Sequence, residues 1–286
     1  MKYDALVKQL LGNEATISSQ LYGGMMNESY IVDKGKDKYV LYIPTAQANE
    51  MVDRAFEKYN QKLVFDINLT SKNIYFDISS GIKINEYIKG SSLNKVQNYN
   101  SKKIAALLKT MHSKAPLTYK DYNPFEKLNE YELERQSLCE IDEGEYSLLK
   151  NCVYSQIDFL KQEKLCLSHN DFQRSNIIQT EEDDYYVIDF EFMSNNYETY
   201  DLACFANDNI EDGLALLNEY FSNPTLEQKK RFYLWRIYIS LQWYNVALIK
   251  HYRGEGKTHN IDFLAVGKHF IKIAKDCHLE IKKLGL

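Results

Sequence analysis

Residues 165–191 read LCLSHNDFQRSNIIQTEEDDYYVIDFE, and this stretch decides how the rest of the chain is to be read. Leu165, Cys166 and Leu167 form a short apolar run that Ser168-His169-Asn170-Asp171 breaks. Asn176 follows Asp171 by five positions, and Ile177-Ile178 resume the apolar character. Glu181-Glu182-Asp183-Asp184 make a charged turn. Residues 185–188 have the aromatic and β-branched content of a strand, and they deliver Asp189 at their end with Phe190 and Glu191 behind it. A hairpin with carboxylates at its mouth is expected.

The order His169-x-Asp171-x4-Asn176, then a strand, then Asp189-Phe190, is the order used by phosphoryl-transfer enzymes of the protein-kinase type. The chemistry explains the residue types. An Asp accepts or orients the proton of an attacking hydroxyl, while an Asn oxygen and a second Asp hold Mg²⁺ against the phosphates of ATP. Both are hard oxygen donors, which magnesium requires. His-x-Asp alone is no more than a polar loop. The Asn at this offset and the Asp-Phe after the next strand make it a candidate site.

With 286 residues, 44% of them hydrophobic, the chain can bury a large core as one domain or as two lobes. A net charge of −5 offers no nucleic-acid footprint. No apolar run reaches membrane-spanning length, and Met1-Lys2-Tyr3-Asp4 does not open a signal peptide. A cytoplasmic protein with a small-molecule substrate, and with neither nucleic-acid nor membrane partner, is expected. The five cysteines are scattered, without a Cys-x-x-Cys pair, and read as reduced thiols.

Upstream, residues 4–11 read as a short helix ended by Gly12. Residues 17–21, 29–32 and 38–43 read as strands, divided by Gly23-Gly24 and by the turn Lys34-Gly35-Lys36-Asp37. The stretch GGMMNESY, with Gly23, Gly24 and Asn27, is either an ordinary hairpin or a loop whose N–H groups cover nucleotide phosphates. Met51, Val52, Ala55, Phe56 and Tyr59 form a helical stripe over 49–62. Glu57 beside it is either a solvated carboxylate or the partner of a strand cation. Strands follow at 62–65, 73–78 and 82–88, the last alternating Ile82, Ile84, Glu86 and Ile88 against Lys83, Asn85 and Tyr87. Beyond Gly90 the chain turns helical. The border is therefore expected there, with residues 1–89 as a nucleotide-binding lobe and 90–286 as a helical lobe with catalytic loop and acceptor pocket. Residues 86–88 are then a hinge whose backbone, at Glu86 and Ile88, can bind adenine; an edge strand is equally compatible.

Helices are expected from Ser101, over 145–161, from Asp201 to Asp208, and over 261–283. Thr225 and Gln228 make a capping box that opens a long helix. On it Trp235, Tyr238, Ile239, Gln242 and Trp243 recur at helical spacing and read as one face, either core or the wall of an aromatic pocket.

HNDFQRSNII, VIDFEFMSNNYETYDLACFAND, GGMMNESY and INEYIKG together resemble the choline/ethanolamine kinase family, in its bacterial LicA-type branch, within the aminoglycoside-phosphotransferase-like part of the kinase fold. The resemblance implies an α+β, bilobal, protein-kinase-like fold, with an N-terminal antiparallel sheet lobe and a mainly helical C-terminal lobe. It implies ATP- and Mg²⁺-dependent phosphorylation of choline, or a related amino alcohol, to the phosphate ester. By it Asp171 is the catalytic base, Asn176 and Asp189 bind magnesium, and Glu191 contacts magnesium or substrate. Asp208 stands at an acidic position of the longer motif and Trp243 at a tryptophan of the choline pocket, with Trp235 and Tyr238 beside it.

One departure matters. Where the family commonly reads V-L-R-I-P on the third strand, this chain has Val40-Leu41-Tyr42-Ile43-Pro44. Tyrosine cannot neutralise ATP phosphates or pair with the helix Glu. Arg54 or Lys38 is the expected substitute. The readings left open are an ethanolamine or aminoglycoside kinase, and a nucleotide-binding pseudokinase without turnover.

Overall fold

The structure is a computed structural model that describes residues 2–22 and 26–285. The chain forms two compact units, one of Met1–Pro116 with Arg174–Met193, the other of Leu117–Gln173 with Ser194–Leu286.

The first unit opens with α1 (Asp4–Leu11), whose Val7 and Leu11, four residues apart and so on one face, are buried. The strands β1 (Thr16–Leu21), β2 (Asn27–Lys34) and β3 (Asp37–Pro44) follow as antiparallel neighbours. The tight β2–β3 turn passes through Gly35, at a left-handed φ of 61° that glycine adopts without a Cβ clash. Next come α2 (Ala46–Met51), α3 (Arg54–Asp66), β4 (Asn73–Phe76) and β5 (Lys83–Glu86), giving the sheet order β1-β2-β3-β5-β4. Val7, Leu11, Ile17, Tyr30, Val32, Leu41 and Ile84 pack together as its core. The helix expected over 49–62 is broken, because Asp53 is extended and its side chain accepts from Phe56 N–H, which starts α3 anew. Residues 62–65, expected as a strand, are the last turns of α3. Asn60, Gln61 and Val64 continue the buried stripe of Phe56 and Glu57. The unit goes on through β6 (Gly90–Ser92) and α4 (Ser101–Lys114), which Asn100 caps in place of Ser101.

The second unit begins with α5 (Pro124–Gln136), α6 (Glu143–Tyr154), α7 (Ile157–Leu160) and β7 (Leu165–Ser168). The chain then returns to the first unit for β8 (Ile177–Thr180) and β9 (Tyr185–Val187), the hairpin read from the sequence. β6 pairs with β8 so closely at Gly90 that a Cβ there would lie 2.3 Å from the Gln179 carbonyl oxygen. This pairing carries the first unit past the change of composition at residue 90. Residues 90–116 and the hairpin with Asn176 and Asp189 belong to it.

Back in the second unit, β10 (Ser194–Tyr197) pairs with β7 and leads into α8 (Glu198–Phe205), α9 (Ile210–Phe221), α10 (Leu226–Tyr252), α11 (Gly256–His259) and α12 (Phe263–Lys283). The Thr225–Gln228 capping box forms as expected, and α10 packs against α5, α6, α8 and α12. α8 starts three residues before Asp201 and ends at Phe205, so Asp208 lies in the turn after it.

Candidate active site

The candidate residues fall in both units, and each group rests on elements of its own unit. In the first, β3 and β5 are antiparallel neighbours in which Tyr42 stands opposite Lys83. Directly opposed residues share one face of the sheet. Lys83 is 2% exposed, and its Nζ donates to Glu57 Oε1 on α3. The ammonium lies 5.0 Å from the centre of the Tyr42 ring and 5.8 Å from that of Phe76. Arg54 Nη1 donates to the other oxygen of Glu57 at 2.7 Å, while its Nε donates to Asn49 Oδ1 at 3.1 Å. Gly81 makes room for this brace, since a Cβ there would come within 2.6 Å of Arg54 Nε.

Burial pushes the Glu57 carboxyl up, but the charges and hydrogen bonds of Lys83 and Arg54 outweigh it and hold Glu57 below its ordinary range. Burial likewise opposes the Lys83 ammonium, and Glu57 and Asp189 overcome it and raise the lysine. Glu191 shows the opposite balance. Burial, then the charge of Asp189, push it up to about 9, although Arg54 Nη1 lies 3.9 Å from its Oε2.

Asp189 follows β9 at a left-handed φ of 69°, a conformation that costs a non-glycine residue about 1–2 kcal/mol. The preceding Ile188 N–H donates to the Asn176 carbonyl at 3.0 Å, which ties the two proposed metal-binding residues together through the backbone. Asn176 is buried at the end of a short 3₁₀ turn. The first residue of that turn, Arg174, donates to the Leu93 and Val96 carbonyls.

In the second unit His169 and Asn170 donate their backbone N–H groups to the two oxygens of Asp201, each at 2.8 Å. Asp201 is fully buried on α8. Asn170 is left-handed at φ 63°, and its side chain is held by Ser194 Oγ and Asn196 Nδ2. The loop thereby presents Asp171, whose Oδ2 accepts from Gln173 Nε2 at 3.0 Å. Gln173 Oε1 accepts in turn from Asn207, and Asn207 Oδ1 accepts from the buried Arg236 at 2.6 Å.

The remaining expectations divide. Gly23 and Gly24 lie outside the described residues. Asn27 heads β2, and its buried Oδ1 has no partner among the described residues. Lys38 pairs with Asp33 on the surface at 2.6 Å and does not reach Glu57, so it is not the substitute cation. Arg54 does reach Glu57, from the helix. Glu86 is exposed, and the N–H groups of Glu86 and Tyr87 are taken by the Lys72 and Lys38 carbonyls. Asp208 is exposed.

The shared tryptophan face is corrected. Eight residues turn a helix about 80° beyond two full turns. Trp235 is accordingly sealed in the core, stacked on Tyr197 and edge-on to Tyr200, whereas Trp243 stacks on Phe270 of α12. Tyr238 is also fully buried, with its hydroxyl donating to the Pro124 carbonyl. Trp235 and Tyr238 are thus core residues rather than pocket walls.

Sequence reading missed Lys83, Gln173, Asn207 and Arg236, and the tyrosines Tyr122 and Tyr131. Both tyrosines are partly exposed and within electrostatic reach of Asp171. Lys83 had a signal: a lysine in the strand flanking a third strand that lacks its cation.

A model of the choline/ethanolamine kinase family matches residues 17–234. Protein LicA of Haemophilus influenzae is 22% identical over 249 residues, covering 82% of this chain and 73% of the relative. The crystal structure of choline kinase LicA from Streptococcus pneumoniae superposes with a TM-score of 0.75 at 25% identity, over 96% of this chain and 98% of the other. A LicA structure in complex with AMP superposes at 0.72, with the same identity and coverage. The antiparallel sheet of the first unit and the helices of the second are therefore those of an α+β, protein-kinase-like fold, and the chain belongs to the choline/ethanolamine kinase family.

Proposed function

We propose that the chain is a choline kinase, which transfers the γ-phosphoryl group of ATP to the hydroxyl of choline and releases phosphocholine and ADP. The observation that carries this reading is the presentation of Asp171 on a loop gripped at two backbone N–H groups by Asp201, with its carboxylate oriented by Gln173. Asp171 accepts the hydroxyl proton as the choline oxygen bonds to the γ-phosphorus and the bond to the β–γ bridging oxygen breaks. Asn176 and Asp189 would supply oxygen donors to Mg²⁺, which when bound would neutralise charge on the phosphates. A partial donor set suits an ion that completes its shell with phosphate oxygens and water.

The LicA complex with AMP supports a nucleotide site in this family. The N–H groups of Glu86 and Tyr87 are taken by the Lys72 and Lys38 carbonyls, so the Ile88 N–H is the hinge donor we assign to adenine. For the acceptor, a trimethylammonium group donates no hydrogen bond and is taken by ring faces near a carboxylate. Tyr122 and Tyr131, partly exposed and within electrostatic reach of Asp171, meet that need better than Trp243, one face of which Phe270 covers. Glu191 joins the nucleotide and metal side, being packed with Arg54 and Asp189. The pseudokinase reading rested on Tyr42, and Lys83 removes its motive. Five free thiols suit a cytoplasmic enzyme, and no helix among the described residues is long and apolar enough to cross a membrane.

The test is ADP release with choline, ethanolamine and an aminoglycoside as acceptors. The highest kcat/KM is expected for choline. ATP binding with no ADP formed from any acceptor would remove the reading.

A further inference from the structure

We infer that the phosphate-binding cation of this enzyme has moved from the third strand to its neighbour, so that Lys83 of β5 takes the role which the family gives to an arginine at the position of Tyr42. The inference rests on the phosphoryl-transfer reading and goes beyond it by assigning a residue that no motif contains.

Four observations carry it. Tyr42 and Lys83 are a directly opposed antiparallel pair, so their side chains leave the sheet on the same face. A long cation on either strand therefore serves the same region. Second, Lys83 pairs with Glu57 of α3, the helix carboxylate that the third-strand cation meets in kinase-like folds. Third, Lys83 is within electrostatic reach of Asp189, the proposed magnesium ligand. Fourth, Tyr42 has been put to use as a wall: its ring lies 5.0 Å from the ammonium, where an aromatic face favours a cation.

A purely structural role accounts for less. Burying a lysine is costly, and the carboxylate with which Lys83 pairs is already engaged by Arg54. Arg54, braced by Asn49, holds Glu57 in place, and Glu57 aims Lys83. The role is one of binding and orienting the ATP phosphates.

Wild-type protein gives the first test. An acyl phosphate of ATP is added with magnesium; the lysine at the phosphates attacks the acyl carbon through its neutral amine, an amide forms, and ATP leaves. Peptide mass spectrometry is expected to find the acyl group on Lys83, with labelling suppressed by excess ATP. ATP-protected acylation of Lys38 or another lysine, with Lys83 unlabelled, would overturn the inference.

The second test compares Lys83→Met with the double variant Lys83→Leu, Tyr42→Arg, by calorimetric titration of magnesium-ADP beside thermal melting. Lys83→Met is expected to lose affinity by about ten- to hundredfold, with KM for ATP rising and KM for choline little changed. The double variant is expected to recover most of the loss, since it returns the cation to the third strand. A folded Lys83→Met with wild-type nucleotide affinity, or a folded double variant that binds no better than the single one, would refute the relocation. Failure of the wild type itself to phosphorylate choline, with these binding results intact, would strike the function and leave the nucleotide role of Lys83 standing.

Discussion

The first unit holds its candidate groups by charge, with the buried Lys83, Arg54 and Glu57 beside Asp189 and Glu191, whereas the second holds Asp171 by directed hydrogen bonds, from the loop N–H groups to Asp201 and from Gln173 to the Asp171 carboxylate. The two kinds of force constrain sequence differently. Coulomb attraction falls slowly with distance and is indifferent to the strand from which the charge arrives. A hydrogen bond weakens steeply once its angle is lost, so the backbone that carries Asp171 must keep its spacing. A cation can therefore change strands while His169-x-Asp171 cannot be respaced.

The largest effect is expected where this comparison ends in chemistry. Asp171→Ala removes the proposed base and Asp189→Ala a proposed magnesium ligand, and each should lower kcat on choline by about 10²–10⁴-fold, with an unchanged melting temperature in Asp171→Ala. Near-normal kcat in Asp171→Ala would end its assignment as base and would leave the hydrogen-bonded loop of the second unit without a task.

Next in size is Glu57→Gln. The amide keeps the shape and loses the charge, leaving Arg54 and Lys83 buried without their shared anion. Breaking a buried pair in this way costs about 3–5 kcal/mol. A large fall in melting temperature together with weakened magnesium-ADP binding is expected. A tolerated glutamine would mean that direction, and not charge, also rules the first unit.

The same contrast explains what was legible. The hairpin, the order Asp171, Asn176, Asp189 and the Thr225 cap could be read because local geometry enforces residue type at fixed spacing. Lys83 was less legible, because alternation set it on the face opposite Ile84, as on a half-exposed strand. Both faces of β5 are in fact buried, and a lysine there is explained only by a carboxylate 26 residues away in the sequence. The strand expected at 62–65 failed because the cap at Asp53 lets α3 run on. The tryptophan face failed through helix rotation alone, as no motif constrains it.

That rotation gives the third prediction. Trp243 stacks on Phe270 with ring centres 5.8 Å apart and planes inclined by 15°. Trp243→Ala should cost on the order of 2 kcal/mol of stability and leave KM for choline almost unchanged, while Tyr122→Ala should raise that KM. A selective loss of choline affinity in Trp243→Ala would restore the tryptophan to the acceptor pocket and weaken the case for the tyrosines.

The smallest effect is expected at Glu163, where the second unit uses a carboxylate for direction alone. Its two oxygens accept from Thr199 N–H at 2.7 Å and Thr199 Oγ1 at 2.6 Å, securing the start of α8 ahead of Asp201. Burial pushes this carboxyl up to about 7, against the pull of the two Thr199 hydrogen bonds. The unfolded chain ionises near the ordinary value of about 4.3. Below that pH both states hold the proton, and folding gains nothing or loses nothing from it. As pH rises from about 4.3 towards 7 the unfolded state sheds its proton first, so native stability falls across that window and levels off above it. Glu163→Gln has no proton to lose, and its amide can accept from Thr199 N–H while donating to the hydroxyl. The variant should therefore match the wild-type melting temperature near pH 4, exceed it modestly at pH 7, and keep kcat on choline. A glutamine that destabilises at pH 7, as Glu57→Gln is expected to, would show that charge matters in the second unit as well, and the distinction between the two units would fail.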